Sequence, residues 1–305
     1  MSMRQISIAV CTFNHLDYLR ICLNALSNQS IAQEEFEVWI IDNDSTDGTD
    51  LFVKEFIRTH SNFHYVKENK LGLSYARNKA LSVIKSEWIA FVDDDVVVGV
   101  NYVRTIQTII QEHEFVFFGG EIKARYIGKK PKWIPDNFNE FSVQTSSNKV
   151  LNSGFIVGAN MIMKRDLILS IGGFDVNLGM KGDNTGYGEE DHIQYLLRER
   201  NYEIAYFSEL SVDHIVHENK LLLKWHIQSS FAHGRDKAIK ASDNLLQAVF
   251  LLLKSILGLL LKRFPEGLRL LIIDKNYFWQ NFFLYMFTPI FFRIGVISFF
   301  LNRSQ

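Results

Sequence analysis

Three adjacent carboxylates, Asp93, Asp94 and Asp95, follow an apolar run that begins at Trp88. Like charges this close repel one another unless a cation lies among them. Hard divalent ions such as Mg²⁺ and Mn²⁺ prefer carboxylate and phosphate oxygens. Mg²⁺ usually takes only one or two protein carboxylates and leaves positions for substrate phosphates. The alternative is a solvated acidic turn that caps a following helix. The place of the triplet, beyond a run that reads as a buried strand, favours the metal.

Other clusters could also do chemistry. DNDSTDGT, Asp42 to Thr49, is a turn-rich stretch whose Asp and Asn side chains can bond nearby backbone. It could be no more than a capped turn, or it could receive a polar ligand at the helix it opens. GYGEED, Gly186 to Asp191, places Glu189, Glu190 and Asp191 behind a glycine hinge. A carboxylate beside a metal can act as a general base toward a hydroxyl. Acidic residues in a first helical turn are also favoured by the helix dipole alone. His214 and His217 in VDHIVH follow another apolar run, where they are either structural or metal-binding. Cys11 and Cys22 read as packed core residues, with no disulfide framework or metal-ligand spacing.

The elements that must position these groups follow from patterning. Ile6–Cys11, Glu37–Ile41, Phe63–Val66 and Trp88–Val92 are short β-branched or aromatic runs suited to buried strands. Helical patterns lie between them, through Leu16, Leu19, Leu23 and Leu26, over Leu51–Ile57, and over Gly72–Ile84. Alternation of this kind predicts an α/β fold with a mostly parallel sheet. Ligands of such sheets bind beyond the carboxyl ends of the strands. Thr12, Asp42 and Asp93 to Asp95 all fall there, so they are expected to converge. Residues from about 120 to 150 hold Pro131 and Pro135 among polar residues and predict a loop or an edge excursion. Gly154–Asp175 predicts a strand, a turn and a helix. Gly186–Asn201 predicts a loop entering a helix, and Tyr202–Leu210 a further strand.

The totals bound the function. A chain of 305 residues, 47% apolar and 22% charged, can bury a sizeable core and is not disordered. Its formal net charge of -1 argues against a nucleic-acid binder. The first twenty residues turn polar at Asn14 and do not read as a signal peptide, so a reduced, cytoplasmic setting is expected.

Taken in order, the strand ending in TFN, then IIDNDSTDGT, GLSYARN, FVDDD, GAN followed by GGFD, GEED, and a histidine after a strand resemble family 2 glycosyltransferases. The likeness runs from about Ile6 to about Lys237. It implies a GT-A fold, a Rossmann-like, mostly parallel sheet flanked by helices. Residues 1-120 would form the nucleotide-sugar-binding half and 121-237 the half that binds acceptor and carries the base. Residues 238-305 would be a helical, apolar C-terminal extension. The resemblance also implies a nucleotide-sugar donor, UDP-linked by preference, a Mn²⁺ or Mg²⁺ cofactor, and inversion at the anomeric carbon. Carried over by motif, Thr12, Asn14, Asp42, Asp44, Arg77, Asp93 and Asp94 would bind the nucleotide sugar. Asp95 and His214 would hold the metal, and Gly158, Ala159 and Asn160 would line the acceptor side. Asp191 matches the catalytic base, with Glu190 as the other candidate.

The chain departs from the family in places. Val96–Val98 stand where relatives often carry proline, and Lys220 where many have arginine, which loses a bidentate fork. The QxxRW signature of processive synthases is missing, so one sugar per encounter is expected. In the tail, Leu245–Leu261 and Tyr277–Leu301 approach spanning length, but Lys254 and Arg293 lie near their middles. Lys262, Arg263, Arg269 and Lys275 connect them, and a basic connection of this kind resists translocation. Helices lying on the cytoplasmic face of an inner membrane are therefore expected, which suits a glycan or lipid-linked acceptor in surface polysaccharide or glycolipid synthesis. A helical cap or a homodimer interface is the other reading of this tail. The competing functions are a sugar nucleotidyltransferase, for which CTFNHLDYLR lacks a phosphate loop, and an inactive scaffold in a polysaccharide-assembly complex.

Overall fold

The computed structural model describes residues 6–143, 149–182, 184–240 and 244–303. Two compact units emerge. The first holds the chain up to Arg125, Asn139–Gly182 and Glu189–Ile215; the second holds Tyr126–Phe138, 183–188 and the chain from Val216 onward.

The first unit is built on strands β1 (Ile6–Thr12), β2 (Phe36–Asp42), β3 (Phe63–Lys67), β4 (Trp88–Asp93), β5 (Val96–Val98), β6 (Phe117–Tyr126), β7 (Asn160–Lys164) and β8 (Ile204–Val216). Its helices are α1 (Leu16–Ser27), α2 (Thr49–Phe56), α3 (Leu73–Val83), α4 (Tyr102–Glu112), α5 (Arg165–Ser170) and α6 (Glu189–Glu199). The sheet order is β3-β2-β1-β4-β7-β6-β8-β5. β1, β2, β3 and β4 pair in parallel, while β7 is antiparallel to β4 and to β6.

Period-two alternation builds two cores, one on each face of the sheet. Ile6, Ile8 and Val10 of β1 face Leu19, Cys22, Leu23 and Leu26 of α1, with Val103, Ile106 and Ile109 of α4 beside them. Ala9, Ile41, Ile89 and Phe91 face the other way, toward Ala76, Ala80 and Leu81 of α3 and Ile193 and Leu197 of α6. Strands buried on both faces must be apolar almost throughout, which is why they read as short continuous runs. The expected α/β class, and each of the four early strands, is found.

Register then aligns the polar strand ends. Thr12 lies opposite Asp42 across β1 and β2, and Cys11 lies opposite Asp93 across β1 and β4. Parallel strands place their carboxyl ends on one edge, so residues as far apart in sequence as Cys11 and Asp93 meet there.

The chain differs from expectation in three places. The stretch expected to be irregular from residue 120 continues β6 as far as Tyr126. Gly119 and Gly120 are strand residues pressed between neighbours. A Cβ on Gly120 would lie 1.9 Å from the Leu210 carbonyl oxygen, a close approach that only glycine permits. Residues 144–148 of that stretch lie outside the described residues. No helix follows the acidic triplet directly: a turn leads into β5, which pairs with β8. The last predicted strand is longer than its apolar run and carries on through His214 to Val216.

The second unit is helical: α7 (Leu223–Lys240), α8 (Leu245–Gly258), α9 (Phe264–Ile273) and α10 (Trp279–Arg303), with a π-helical turn, Leu259–Arg263, joining α8 to α9. Asn244 caps α8 reciprocally with Gln247. α7 and α10 cross with backbones nearly touching, since a Cβ on Gly234 would lie 1.9 Å from Phe292 O, and one on Gly295 2.0 Å from Phe231 O. Pro289 has no N–H to give the Tyr285 carbonyl one turn earlier. The Arg263 guanidinium donates to that carbonyl instead, at 2.6 Å.

Candidate active site

The acidic triplet points three ways. Asp94 is buried and meets the His15 ring nitrogen Nδ1 at 3.2 Å. Asp95 is buried and meets His214 Nε2 at 3.0 Å. Asp93 is half-buried and faces Arg77 Nη2 at 3.5 Å. The backbone fixes the second contact: Val96 pairs with His214 across β5 and β8, and Ile215 N donates to the Asp95 carbonyl at 2.8 Å. Ligand atoms of Asp93, Asp95 and His214 all lie within 4.8 Å of one another.

Arg77, on α3, is buried under the same cluster. Its Nη1 donates to Glu189 Oε1 at 2.8 Å, and its guanidinium carbon lies 5.5 Å from the centre of the Phe174 ring. Burial alone would push the guanidinium pKa down; Glu189, Asp93 and Glu190 together hold it above its ordinary value. Room for it is made by Gly158, where a Cβ would lie 2.5 Å from Arg77 Nη2. α3 is itself tied to the GGFD segment, because Asn78 exchanges hydrogen bonds with the Phe174 backbone at 2.7 and 2.8 Å. Gly172 and Gly173, with φ of +100° and +71°, let that segment turn back onto the helix.

One cation does not balance these acids. Burial pushes Glu189 up to about 8, with the charge of Glu190 adding to the shift and Arg77 opposing it. Burial likewise raises Asp93, with Arg77 opposing and Asp95 adding. Both shifts mean that these carboxyls hold their protons more tightly than free ones, and a divalent ion among them would favour the charged forms. Two carboxylates and an imidazole form a donor set that suits Mn²⁺ or Mg²⁺ with further oxygens from a ligand. Buried oxygens without a protein hydrogen-bond partner also remain at Thr12 Oγ1, Glu189 Oε2 and Glu190 Oε2. The residues present fit the group.

The other expected residues are placed as follows. Thr12 is buried at the end of β1. Asp42 is fully buried; it accepts from Ser45 N at 2.9 Å and from the Tyr65 hydroxyl at 2.7 Å. Asn14, with φ of +53°, accepts from Thr46 N at 2.7 Å and so ties the β1 loop to the DNDS turn. Asp44 is more exposed and pairs with Lys67 at 2.7 Å. Ala159 is packed in the core. Asn160 is fully buried, donating to Leu210 O at 2.7 Å and accepting from the Tyr102 hydroxyl at 2.9 Å. Its side chain is thus committed within the fold, whereas Gly158 lies against Arg77. Glu190 acts on Arg77 and Glu189, while Asp191 acts on Arg198, farther along α6.

Several members carry no clear signal in the sequence. Glu189 reads there only as one of three first-turn acids. His15 and Asn43 went unassigned; Asn43 accepts from Gly72 N and donates to Lys70 O, both at 2.7 Å, and so locks the DNDS turn to the start of α3. The repeated acids in GEED were the only available signal for Glu189.

The raised Glu189 value has a stability consequence. A folded pKa near 8 against an ordinary 4.5 means that the folded state holds the proton longer. Its contribution is full below about pH 4.5 and is lost as pH rises through 8. Urea melts of metal-free protein are expected to show stability falling across that window. Glu189→Gln is expected to flatten the slope, and an unchanged slope would place the titration elsewhere.

Comparison with known proteins agrees with this geometry. The sequence profile described as Glycosyl transferase family 2 matches residues 7–172. A glucosyl-dolichyl phosphate glucuronosyltransferase of Haloferax volcanii is 26% identical over 251 residues, 77% of each chain. A mannosyltransferase structure from Pyrobaculum calidifontis, in complex with GDP-Man and Mn²⁺, superposes with a TM-score of 0.65 at 15% identity, covering 100% of this chain and 89% of its own. Staphylococcus aureus TarS 1-349 in complex with UDP gives a TM-score of 0.53 at 18% identity, over 99% and 92% of the two chains. The GT-A fold is shared with these structures. The chain belongs to glycosyl transferase family 2 and is a glycosyltransferase acting on nucleotide sugars.

Proposed function

We propose that the protein transfers one sugar, with inversion, from a nucleotide sugar to a hydroxyl of a glycan or lipid-linked acceptor, using a divalent cation. The observation that carries the reading is the Asp93, Asp95 and His214 cluster adjoining the buried Arg77. Those three side chains would hold Mn²⁺ or Mg²⁺. When bound, such a cation offsets the charge that gathers on the departing nucleotide.

The chain's own groups do the rest. Arg77 is fixed by Glu189 and Phe174, so its charge is available toward the donor without reorganisation. Thr12 Oγ1 offers an uncommitted hydroxyl at the strand end. Glu190 keeps a carboxylate oxygen without a protein partner beside this network, and we assign it the acceptor proton. Asp191, which the motif resemblance put first, is the second reading. One base and one displacement give inversion without a covalent intermediate. UDP remains the preferred nucleotide, with GDP and dTDP as competitors; one of the similar structures holds GDP-Man and another UDP.

A membrane-surface location for the second unit, with a lipid-linked acceptor, rests on different observations. Leu246, Val249, Phe250, Leu253, Leu257 and Leu260 recur at intervals of three and four along α8 and beyond, and all are exposed. Lys254, Lys262, Arg263, Arg269 and Lys275 outnumber Glu266 and Asp274 around them. α10 is held along α7, whose sequence is polar, and Ser230 of α7 donates to the Thr288 carbonyl at 2.8 Å. A helix bound to such a partner suits the interface better than the hydrocarbon core. The similar H. volcanii enzyme is named for a dolichyl phosphate glycolipid.

Calorimetric titration of UDP, GDP and dTDP with and without Mn²⁺ tests the donor site. One nucleotide is expected to bind tightly only with metal, and Asp95→Ala is expected to abolish that dependence. Metal-dependent binding that survives in Asp95→Ala would refute the cation site. Glu190→Gln is expected to leave nucleotide binding intact and to lower transfer by about 10²-fold or more; the same loss in Asp191→Asn, with a near-normal Glu190→Gln, would move the base. Leu253→Glu combined with Leu260→Glu is expected to reduce sedimentation with phosphatidylglycerol vesicles while the melting temperature holds, since both side chains are exposed. Unchanged sedimentation would exclude this face as the contact.

A further inference from the structure

The Asn139 side chain lies 2.7 Å from His214 Nδ1, on the ring edge opposite the contact between His214 Nε2 and Asp95. Its position is built rather than incidental. Two residues on, Phe141 exchanges backbone hydrogen bonds with Ile122 of β6 at 2.9 and 3.0 Å, which pins the segment to the sheet. Asn139 itself has φ of +64°, a left-handed conformation that asparagine tolerates better than most residues. The side chain is thereby delivered to the ring.

We propose that Asn139 is a positioning residue that lets the His214 ring take the tautomer in which Nε2 can hold a cation. The inference rests on the cation reading given above. A neutral imidazole carries one proton. Where Nε2 carries it, that atom, 3.0 Å from Asp95 Oδ1, has no lone pair for a metal. Where Nδ1 carries it, Nε2 is free to coordinate, and Nδ1–H needs an acceptor. An amide serves both states. Its NH₂ donates to a bare Nδ1 when Nε2–H faces Asp95. Turned over, its carbonyl oxygen accepts from Nδ1–H when Nε2 faces a cation. The ring loses one proton at Nε2 and gains one at Nδ1 through solvent, so no net proton is released. A carboxylate at this position would serve only the second state, and an apolar side chain neither.

The test is Mn²⁺ binding at pH 8, read from the electron paramagnetic resonance of free Mn²⁺, with Mn²⁺ alone as the probe. Asn139→Gly removes the side chain and keeps the left-handed backbone. It is expected to weaken Mn²⁺ binding by about 10- to 100-fold, the range for loss of an outer partner of a ligating histidine. Asn139→Asp supplies the acceptor and is expected to bind within about threefold of the unaltered protein, or more tightly. Melting in EDTA monitors the fold of both variants. Unaltered Mn²⁺ affinity in Asn139→Gly overturns the inference about Asn139 and leaves the cation site standing. Equal loss in both variants also overturns it, because the side chain would then matter for its shape rather than as an acceptor. Failure of the unaltered protein to bind Mn²⁺ overturns the cation site and this inference together.

Discussion

The buried guanidinium of Arg77 is the constraint around which the first unit is arranged. A charge removed from water needs partners close by, and its loss would leave those partners uncompensated. Here the partners come from separate motifs: Glu189 from the first turn of α6, Asp93 from the end of β4, and the Phe174 ring from the GGFD segment. Gly158 leaves the space, and Asn78 fastens the GGFD segment to the same helix. Motifs scattered along more than a hundred residues are therefore one electrostatic unit. Asp93 carries that unit to the end of β4, where its carboxylate adjoins Asp95 and His214.

Much of this was legible because a doubly wound sheet converts sequence alternation into place. Four apolar runs, each ending in polar residues, were enough to bring Thr12, Asp42 and Asp93 together, and the observed register does so. What could not be read was pairing over long range. Glu189, Glu190 and Asp191 are alike as first-turn acids, and only the folded helix turns one toward Arg77 and another toward Arg198. Asn139 falls within a polar, proline-containing stretch with no periodicity, so its meeting with His214, 75 positions later, has no local signal. β5 has three residues, too few for a pattern, and Gly119–Gly120 mimics a turn inside β6.

The second unit follows a different logic. α8 and the turn after it keep large apolar side chains on the outside, while glycine and polar contacts hold α7 to α10. Large apolar side chains contiguous along one helix face are uncommon on a surface that meets only water. Arg263 shows how the two demands are reconciled within one residue. It answers the carbonyl left bare by Pro289, so a proline inside a long helix does not expose an unsatisfied group.

The close approach of Gly158 to Arg77 has a consequence for how such a sequence can drift. A side chain at position 158 is incompatible with the guanidinium as it stands, and a shorter residue at 77 strands Glu189 in the interior. Neither position can change first without loss, and a single step at either leads downhill. The two are separated in sequence by the acidic triplet and three strands, yet each constrains what the other can be. Exchange of one segment with a homologue that carries a side chain in place of Gly158, or a shorter residue in place of Arg77, would break the pair.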